Sequence, residues 1–196
     1  MKDIAGWALS TAQARGATYA EVRVNDIRQR YLSTKNAQPA QVRESESFGL
    51  GVRVVADGAW GFAATDDVTR KGAEGAAAKA VEIAQASALC KKEAIRLAPE
   101  KKIVDRWNGP CRIDPFTVPV SACIDLMTKV DAEMLRVKGV THTESLMDFR
   151  RIEQLFLSTL GSEIYQKKTQ TGAGFAATSF EGNEIQKRSY RSEEQA

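Results

Sequence analysis

The chain holds one histidine, His142, and three cysteines, Cys90, Cys111 and Cys123. Metal chemistry built on these types needs partners at short, fixed spacing, because a zinc centre takes three or four ligands. His142 has no second histidine to pair with, and the cysteines stand too far apart for any metal motif. There is no His-Glu-x-x-His and no Gly-x-Ser-x-Gly. Cys123 falls on the apolar face of a predicted helix, where burial raises a thiol's pKa, so it reads as a core thiol rather than a nucleophile. Glu44 with Glu46, and Asp66 with Asp67, are carboxylate pairs of the kind used in acid–base catalysis. They flank strands, where solvated ends and helix caps are the ordinary roles. Gly49-Leu50-Gly51 and Gly172-Ala173-Gly174 look like phosphate loops, yet both lie inside alternating patterns and neither opens a helix. Bulges or close backbone contacts fit them better. Arg28 with Arg30 and Arg150 with Arg151 read as solvated charge near strand ends. From the residues alone, the chain has no catalytic residue, no metal ligand and no cofactor site.

Hydrophobic residues make up 43% of the chain and charged residues 27%, which is ordinary for a soluble globular protein able to bury a core. Twenty-eight basic and 25 acidic residues leave a net charge of +3, with both signs mixed along 196 residues. A nucleic-acid binder concentrates its excess charge, so DNA or RNA is not an expected partner. An odd number of cysteines suits reduced, partly buried thiols and a cytoplasmic setting. No apolar run approaches the ~20 residues needed to span a bilayer, so no membrane association is expected. The opening residues, Met1 to Trp7, include Asp3 and lack the apolar core of a secretory signal.

The elements follow from periodicity. Residues 3–15 predict a helix with Asp3 as its cap and Gly16 as its stop. Alternation predicts a strand near 20–25 and a partner strand at 31–35, with a turn at 36–41. Phe48, Leu50, Val52 and Val54, then Asp57-Gly58, then Trp60, Phe62 and Ala64 predict a tight hairpin. Trp60 and Phe62 are expected on its core side, facing Phe48 to Val54. An alanine stripe, Ala73, Ala76, Ala77, Ala80 and Ala84, widened by Val81 and Ile83, predicts a helix over 69–88. Four of the five prolines lie between 90 and 119. That stretch reads as an extended connection with strand-like pieces at 94–97 and 103–107. Cys123, Met127, Val130, Met134 and Val137 form the apolar seam of a third helix, over 121–138. Strands are then expected at 140–149, 152–159, 162–179 and 183–190. The fold class is α+β: an antiparallel or mixed sheet with three main helices, and a candidate internal repeat of one helix plus four strands. Two lobes, about 1–89 and 120–196, would be joined by 90–119. Eight strands are too many for three helices to hide every edge. The small residues at Gly172, Ala173, Gly174 and Phe175 make that strand the candidate edge for contact with an added peptide.

Three segments together resemble the start of the TldD/PmbA proteins, which include TldD-type metallopeptidases and were first described as modulators of DNA gyrase. They are residues 16–23, Gly-Ala-Thr-Tyr-Ala-Glu-Val-Arg; residues 46–54; and residues 57–65, Asp-Gly-Ala-Trp-Gly-Phe-Ala-Ala-Thr. Gly49, Gly51, Arg53, Asp57, Gly58, Trp60, Gly61 and Phe62 carry the signature. Leu97-Ala98-Pro99, Trp107, Asp114-Pro115-Phe116, residues 172–178 and Arg188-Ser189-Tyr190 are similar too, so the likeness spans the chain. Asn36-Ala37 departs from the Asn-Gly that members often have in the first turn. The resemblance implies the amino-terminal domain of a zinc peptidase acting on unfolded peptides or peptide precursors. The catalytic carboxyl-terminal domain, with its His-Glu-x-x-x-His motif, is not in these 196 residues, so the chain itself would be inactive. It implies zinc for the full-length parent, and a homodimer or a TldD/PmbA heterodimer. Alternatives are a stand-alone binding or assembly module of PmbA type, and a DNA gyrase-associated regulator.

Overall fold

The computed structural model describes residues 1–191. The helices are α1 (Lys2–Ala14), α2 (Arg70–Ala88) and α3 (Val120–Leu135), with a single 3-10 turn at Pro115–Thr117. The strands are β1 (Tyr19–Lys35), β2 (Gln38–Ala56), β3 (Ala59–Thr65), β4 (Val104–Asn108), β5 (Val140–Ser158), β6 (Glu163–Glu181) and β7 (Glu184–Arg191). They form one mixed sheet in the order β3-β2-β1-β5-β6-β4, with β7 also on β6. β4 runs parallel to β6, while β3 on β2 and β7 on β6 are antiparallel. The fold is α+β, as expected. Both halves run from a helix into three consecutive strands, α1-β1-β2-β3 and α3-β5-β6-β7.

The count of four strands per half is corrected to three. Residues 20–25 and 31–35 belong to one strand, β1, and residues 140–149 and 152–159 to another, β5. The apparent break in β1 falls at Ile27–Arg30, where the inward position is an arginine. Arg30 is 6% exposed, so a charge sits where the alternation calls for an apolar side chain. The helices match their periodicity closely. Met1 rather than Asp3 stands at the cap position of α1, and Asp3 lies in its first turn. Gly16, at φ +95°, ends α1 as predicted.

The chain divides into two compact units. The first comprises Met1–Ile27, Ser47–Asn108 and Ile152–Lys167. Its core joins Ala5, Ala8 and Ala12 of α1 to the alanine stripe of α2, over Val22, Val24, Val52, Val54 and Leu157. The stripe is buried through Val81, but Ile83 lies at its rim, 36% exposed. Stripe and sheet come close because Gly61 of β3 faces the helix: a Cβ there would lie 2.0 Å from the Ala80 carbonyl oxygen and 2.6 Å from the Ala84 nitrogen.

That contact reverses the expected faces of β3. Ala59 and Gly61 are buried, whereas Phe62 is 57% exposed and Trp60 is half-buried. Val54 and Val52 stand opposite Gly61 and Ala63, while Arg53 stands opposite Phe62. A large aromatic on the inner side would hold α2 away from the sheet.

The second unit comprises, among the described residues, Arg28–Glu46, Gly109–Arg151 and 168–191. Leu32, Cys123, Met127 and Phe149 are its buried apolar centre. The third helix, expected to reach 138, ends at Leu135, so Val137 lies beyond the seam and is 59% exposed, while Asp131 within the helix is fully buried. Asp131 accepts a hydrogen bond from the Ser145 hydroxyl at 2.5 Å and one from the Ala37 amide at 3.3 Å. Beside it, the Asn36 side-chain oxygen accepts from the Thr143 amide at 2.8 Å.

Asn36 and Ala37, at φ 49° and 59°, are both left-handed. This is the geometry of a type I′ turn, so the hairpin keeps its shape although alanine stands where glycine is favoured. Ala37→Gly should therefore raise stability by about 0.5–1 kcal/mol, the relief of a left-handed Cβ less glycine's entropy cost in the unfolded chain. Urea denaturation checks this. An unchanged or lowered midpoint would mean that the turn is not left-handed at Ala37.

Candidate functional site

Residues of the signature meet in the first unit, on the side chains that alternate with the buried ones. Glu21 is 3% exposed. It accepts a hydrogen bond from the Tyr19 hydroxyl at 2.7 Å and pairs with Arg53 at 2.9 Å and with Arg23. Burial alone would push the Glu21 carboxyl up, but the hydrogen bonds from Tyr19, Arg53 and Arg23 outweigh it and hold the carboxyl below its ordinary range. Burial, with Glu21 as neighbour, pushes the Tyr19 hydroxyl up. The arginines are held in turn. The Arg53 guanidinium lies 4.7 Å from the Trp60 ring and that of Arg23 4.9 Å from the Phe156 ring. Trp60 meets Tyr19 edge to face at 6.1 Å.

Two clefts open beside this constellation. One, of about 820 Å³, lies between Trp60 and residues 93–98. That segment is tied to the hairpin by the Ile95 amide, which donates to the Gly58 carbonyl at 2.9 Å. The other, of about 520 Å³, is bounded by Ile27, Gly49, Gly51, Phe62, Ala64 and Asp66. The Phe62 ring lies over Gly51, 3.1 Å from where a Cβ would stand. The glycines of the first apparent phosphate loop therefore serve close packing. Asp57 and Gly58 make the turn of the hairpin, at φ 51° and 72°.

In the second unit, Arg28, Arg30 and Arg151 surround the Phe116 ring, at 4.9, 5.5 and 4.9 Å from its centroid. Arg30 pairs with Glu44 at 2.6 Å and donates to the Val118 carbonyl at 3.1 Å. Arg28 pairs with Glu44 and Glu46, and Arg151 with Asp114. The Arg30 guanidinium holds the Glu44 carboxyl below its usual range. Arg28, Arg30 and Arg151 are thus not the solvated charges expected, because each has an acidic partner; Arg150 is exposed.

Of the candidate carboxylates, Glu44, Glu46 and Asp67 are engaged. Glu44 and Glu46 take up arginines. Asp67 accepts from the Thr69 amide at the start of α2, and hydrogen bonds from the Thr69 side chain and then from its amide hold the Asp67 carboxyl low. His142 contacts Glu144 at 3.2 Å. Burial pushes the Cys123 thiol up, which suits a core thiol, whereas Cys90 and Cys111 are exposed rather than partly buried. Among the described residues no group of three His, Cys, Asp or Glu side chains could hold a metal ion. The donor set does not fit the zinc that the resemblance implies for the parent.

The candidate peptide edge at residues 172–175 lies in β6. Gly174 stands opposite Arg191 and Phe175 opposite Tyr190 in β7. The Phe175 and Tyr190 rings stack at 5.6 Å. These two residues are inside the sheet, because residues 184–191 fold back as a further strand; Gly172 and Ala173 precede that register. Tyr19, Glu21 and Phe116 lie within the quoted family segments, but only the structure gives them roles. Arg30 and Asp131 carry no sequence signal, since a buried charge and an exposed one look alike in a pattern of residue types.

No helix of the described residues is long and apolar enough to cross a membrane. Residues 20–84 match the family described as PmbA/TldA metallopeptidase domain 1. A metalloprotease of Methanothermobacter thermautotrophicus is 24% identical over 168 residues, which are 86% of this chain and 36% of that protein. A protein of Bacteroides thetaiotaomicron described as a modulator of DNA gyrase superposes with a TM-score of 0.77 at 17% identity, over 97% of this chain and 44% of its own. TldE of Thermococcus kodakarensis superposes at 0.71 with 11% identity, over 93% of this chain and 41% of its own. The chain thus spans well under half the length of these relatives. With the signature residues gathered on the β2–β3 hairpin, the chain resembles the PmbA/TldD proteins, and its residues 20–84 match that family's first domain.

Proposed function

We propose that this chain serves as the amino-terminal, substrate-enclosing and assembly domain of a TldD-type metallopeptidase, and that it contacts unfolded peptide without cutting it. The observation that carries the reading is the state of the signature residues. Arg53, Trp60, Glu21 and Tyr19 satisfy one another, so no carboxylate or hydroxyl among them is left to move a proton. Beside them Phe62 stands exposed over a glycine floor. That is a surface for contact rather than for bond breaking. Activation of water by zinc would belong to a longer parent, as would assembly into a homodimer or a TldD/PmbA-type pair in the cytoplasm.

Fluorescence anisotropy tests the contact. A labelled unfolded polypeptide, reduced and carboxymethylated lactalbumin, should bind the purified chain saturably and be recovered intact. Failure to bind at any accessible concentration would remove the peptide from the reading.

A further inference from the structure

Two guanidinium groups converge on one carboxylate oxygen in the first unit. Arg53 stands 2.9 Å from Oε1 of Glu21, and Arg23 pairs with the same oxygen. The Tyr19 hydroxyl donates to the other oxygen, Oε2, at 2.7 Å. Both oxygens of Glu21 are thus taken, and two positive charges face one negative. A single guanidinium with Tyr19 would already satisfy this buried carboxylate. The second adds a like charge beside the first, a repulsion that Glu21 only partly offsets. Glu100 acts on the Tyr19 hydroxyl from a distance, but among the described residues Glu21 is the one carboxylate paired with either arginine.

We infer that Arg23 and Arg53 form a carboxylate-binding subsite, which takes an acidic side chain or the C-terminal carboxylate of a visiting polypeptide. This rests on the reading of the chain as a peptide-contacting domain, and it names the group of the peptide that is held. The two side chains are 45% and 46% exposed, although the glutamate between them is buried. Each guanidinium carries several N–H donors in a planar fork, and Glu21 uses only part of each fork. The rings of Trp60 and Phe156 lie against the two guanidinium planes. Stacking of that kind fixes a plane and leaves its edges, where the donors are, open to a second acceptor. The position also suits a ligand. Arg53 stands opposite Phe62 in the hairpin, with Phe62 bordering one cleft and Trp60 the other. A carboxylate matches the surplus better than a phosphate does: it brings one negative charge for one unbalanced positive charge, and its two oxygens fit the guanidinium fork.

Anisotropy and side-chain NMR on the whole chain test this with three labelled peptides of one unstructured sequence. The first has a central glutamine and a C-terminal amide, the second a central glutamate and the amide, the third the glutamine and a free carboxyl terminus. The second, the third or both should bind at least tenfold more tightly than the first, and should shift the Nε–H resonances of Arg23 and Arg53 saturably. Which of them does so tells an acidic side chain from a chain terminus. Arg53→Gln and, separately, Arg23→Gln should bring the binding of that peptide down to the level of the neutral one. Each variant leaves Glu21 with one arginine and Tyr19, so the thermal midpoint should stay within a few degrees. Arg43→Gln, at an exposed arginine stacked on Tyr31, should change nothing. Should the Arg53 or Arg23 variant fail to fold, the resonances of the unaltered chain decide. If the three peptides bind alike, or if sodium chloride at the same ionic strength gives equal shifts, the inference is overturned and the reading of a peptide-contacting domain survives. If no peptide binds, both fall.

Discussion

Replacing Gly61 by alanine is expected to cost about 3 kcal/mol or more, at the upper end of what forcing an extra group into a close-packed contact does. The added methyl would meet the Ala80 carbonyl oxygen at 2.0 Å, the Ala84 nitrogen at 2.6 Å and the Ala84 Cβ at 2.9 Å. Two of these are helix backbone and cannot turn aside, so α2 would have to lift from β3. The stripe of Ala73, Ala76, Ala77, Ala80 and Ala84 would then lose part of its burial. Gly51→Ala is the matched control on β2. Its methyl would meet the Phe62 ring at 3.1–3.2 Å. That ring is exposed and can swing away, so the expected cost is about 1 kcal/mol or less, chiefly the moved ring. Thermal unfolding of the two variants separates them: at 2–4 °C per kcal/mol for a chain of this size, the gap should exceed about 4 °C. Equal midpoints would mean that α2 does not rest on Gly61.

The second large effect belongs to Asp131. Asp131→Ala should destabilise by about 2–4 kcal/mol, because the Ser145 hydroxyl and the Ala37 amide would lose the carboxylate that receives them. Asp131→Asn keeps an oxygen for one of them and should cost less than half as much. Urea denaturation of both variants reads the difference. If alanine were no worse than asparagine, the carboxylate would not be what fastens the β1–β2 turn to α3.

These two positions also mark where the fold is legible in the sequence and where it is not. The helices and the Asp57-Gly58 hairpin follow from period, caps and turn chemistry, each of which is local. The faces of β3 do not. Its alternation offers Trp60 and Phe62 on one side, Gly61 and Ala63 on the other, and hydrophobicity favours the aromatics as core. The deciding fact is tertiary: a helix with an alanine stripe can lie close only on a glycine. Likewise β1 and β5 run unbroken where alternation predicts separate strands. Arg30 holds an inward position by pairing with Glu44 and a backbone carbonyl, so a polar residue does not end the strand. At the candidate site, resemblance marks Arg53 and Trp60. Their stacking, and the convergence of Tyr19, Arg23 and Arg53 on Glu21, depend on register across β1, β2 and β3, which no local pattern encodes.

Mass spectrometry of an unfolded polypeptide incubated with the chain and added zinc tests most directly the claim that this domain contacts peptide without catalysing its hydrolysis. The account predicts that reduced, carboxymethylated lactalbumin is recovered at its intact mass at every time point, while the same sample shows it bound. Cleavage products that appear in proportion to the chain, and that persist across independent preparations, would contradict it.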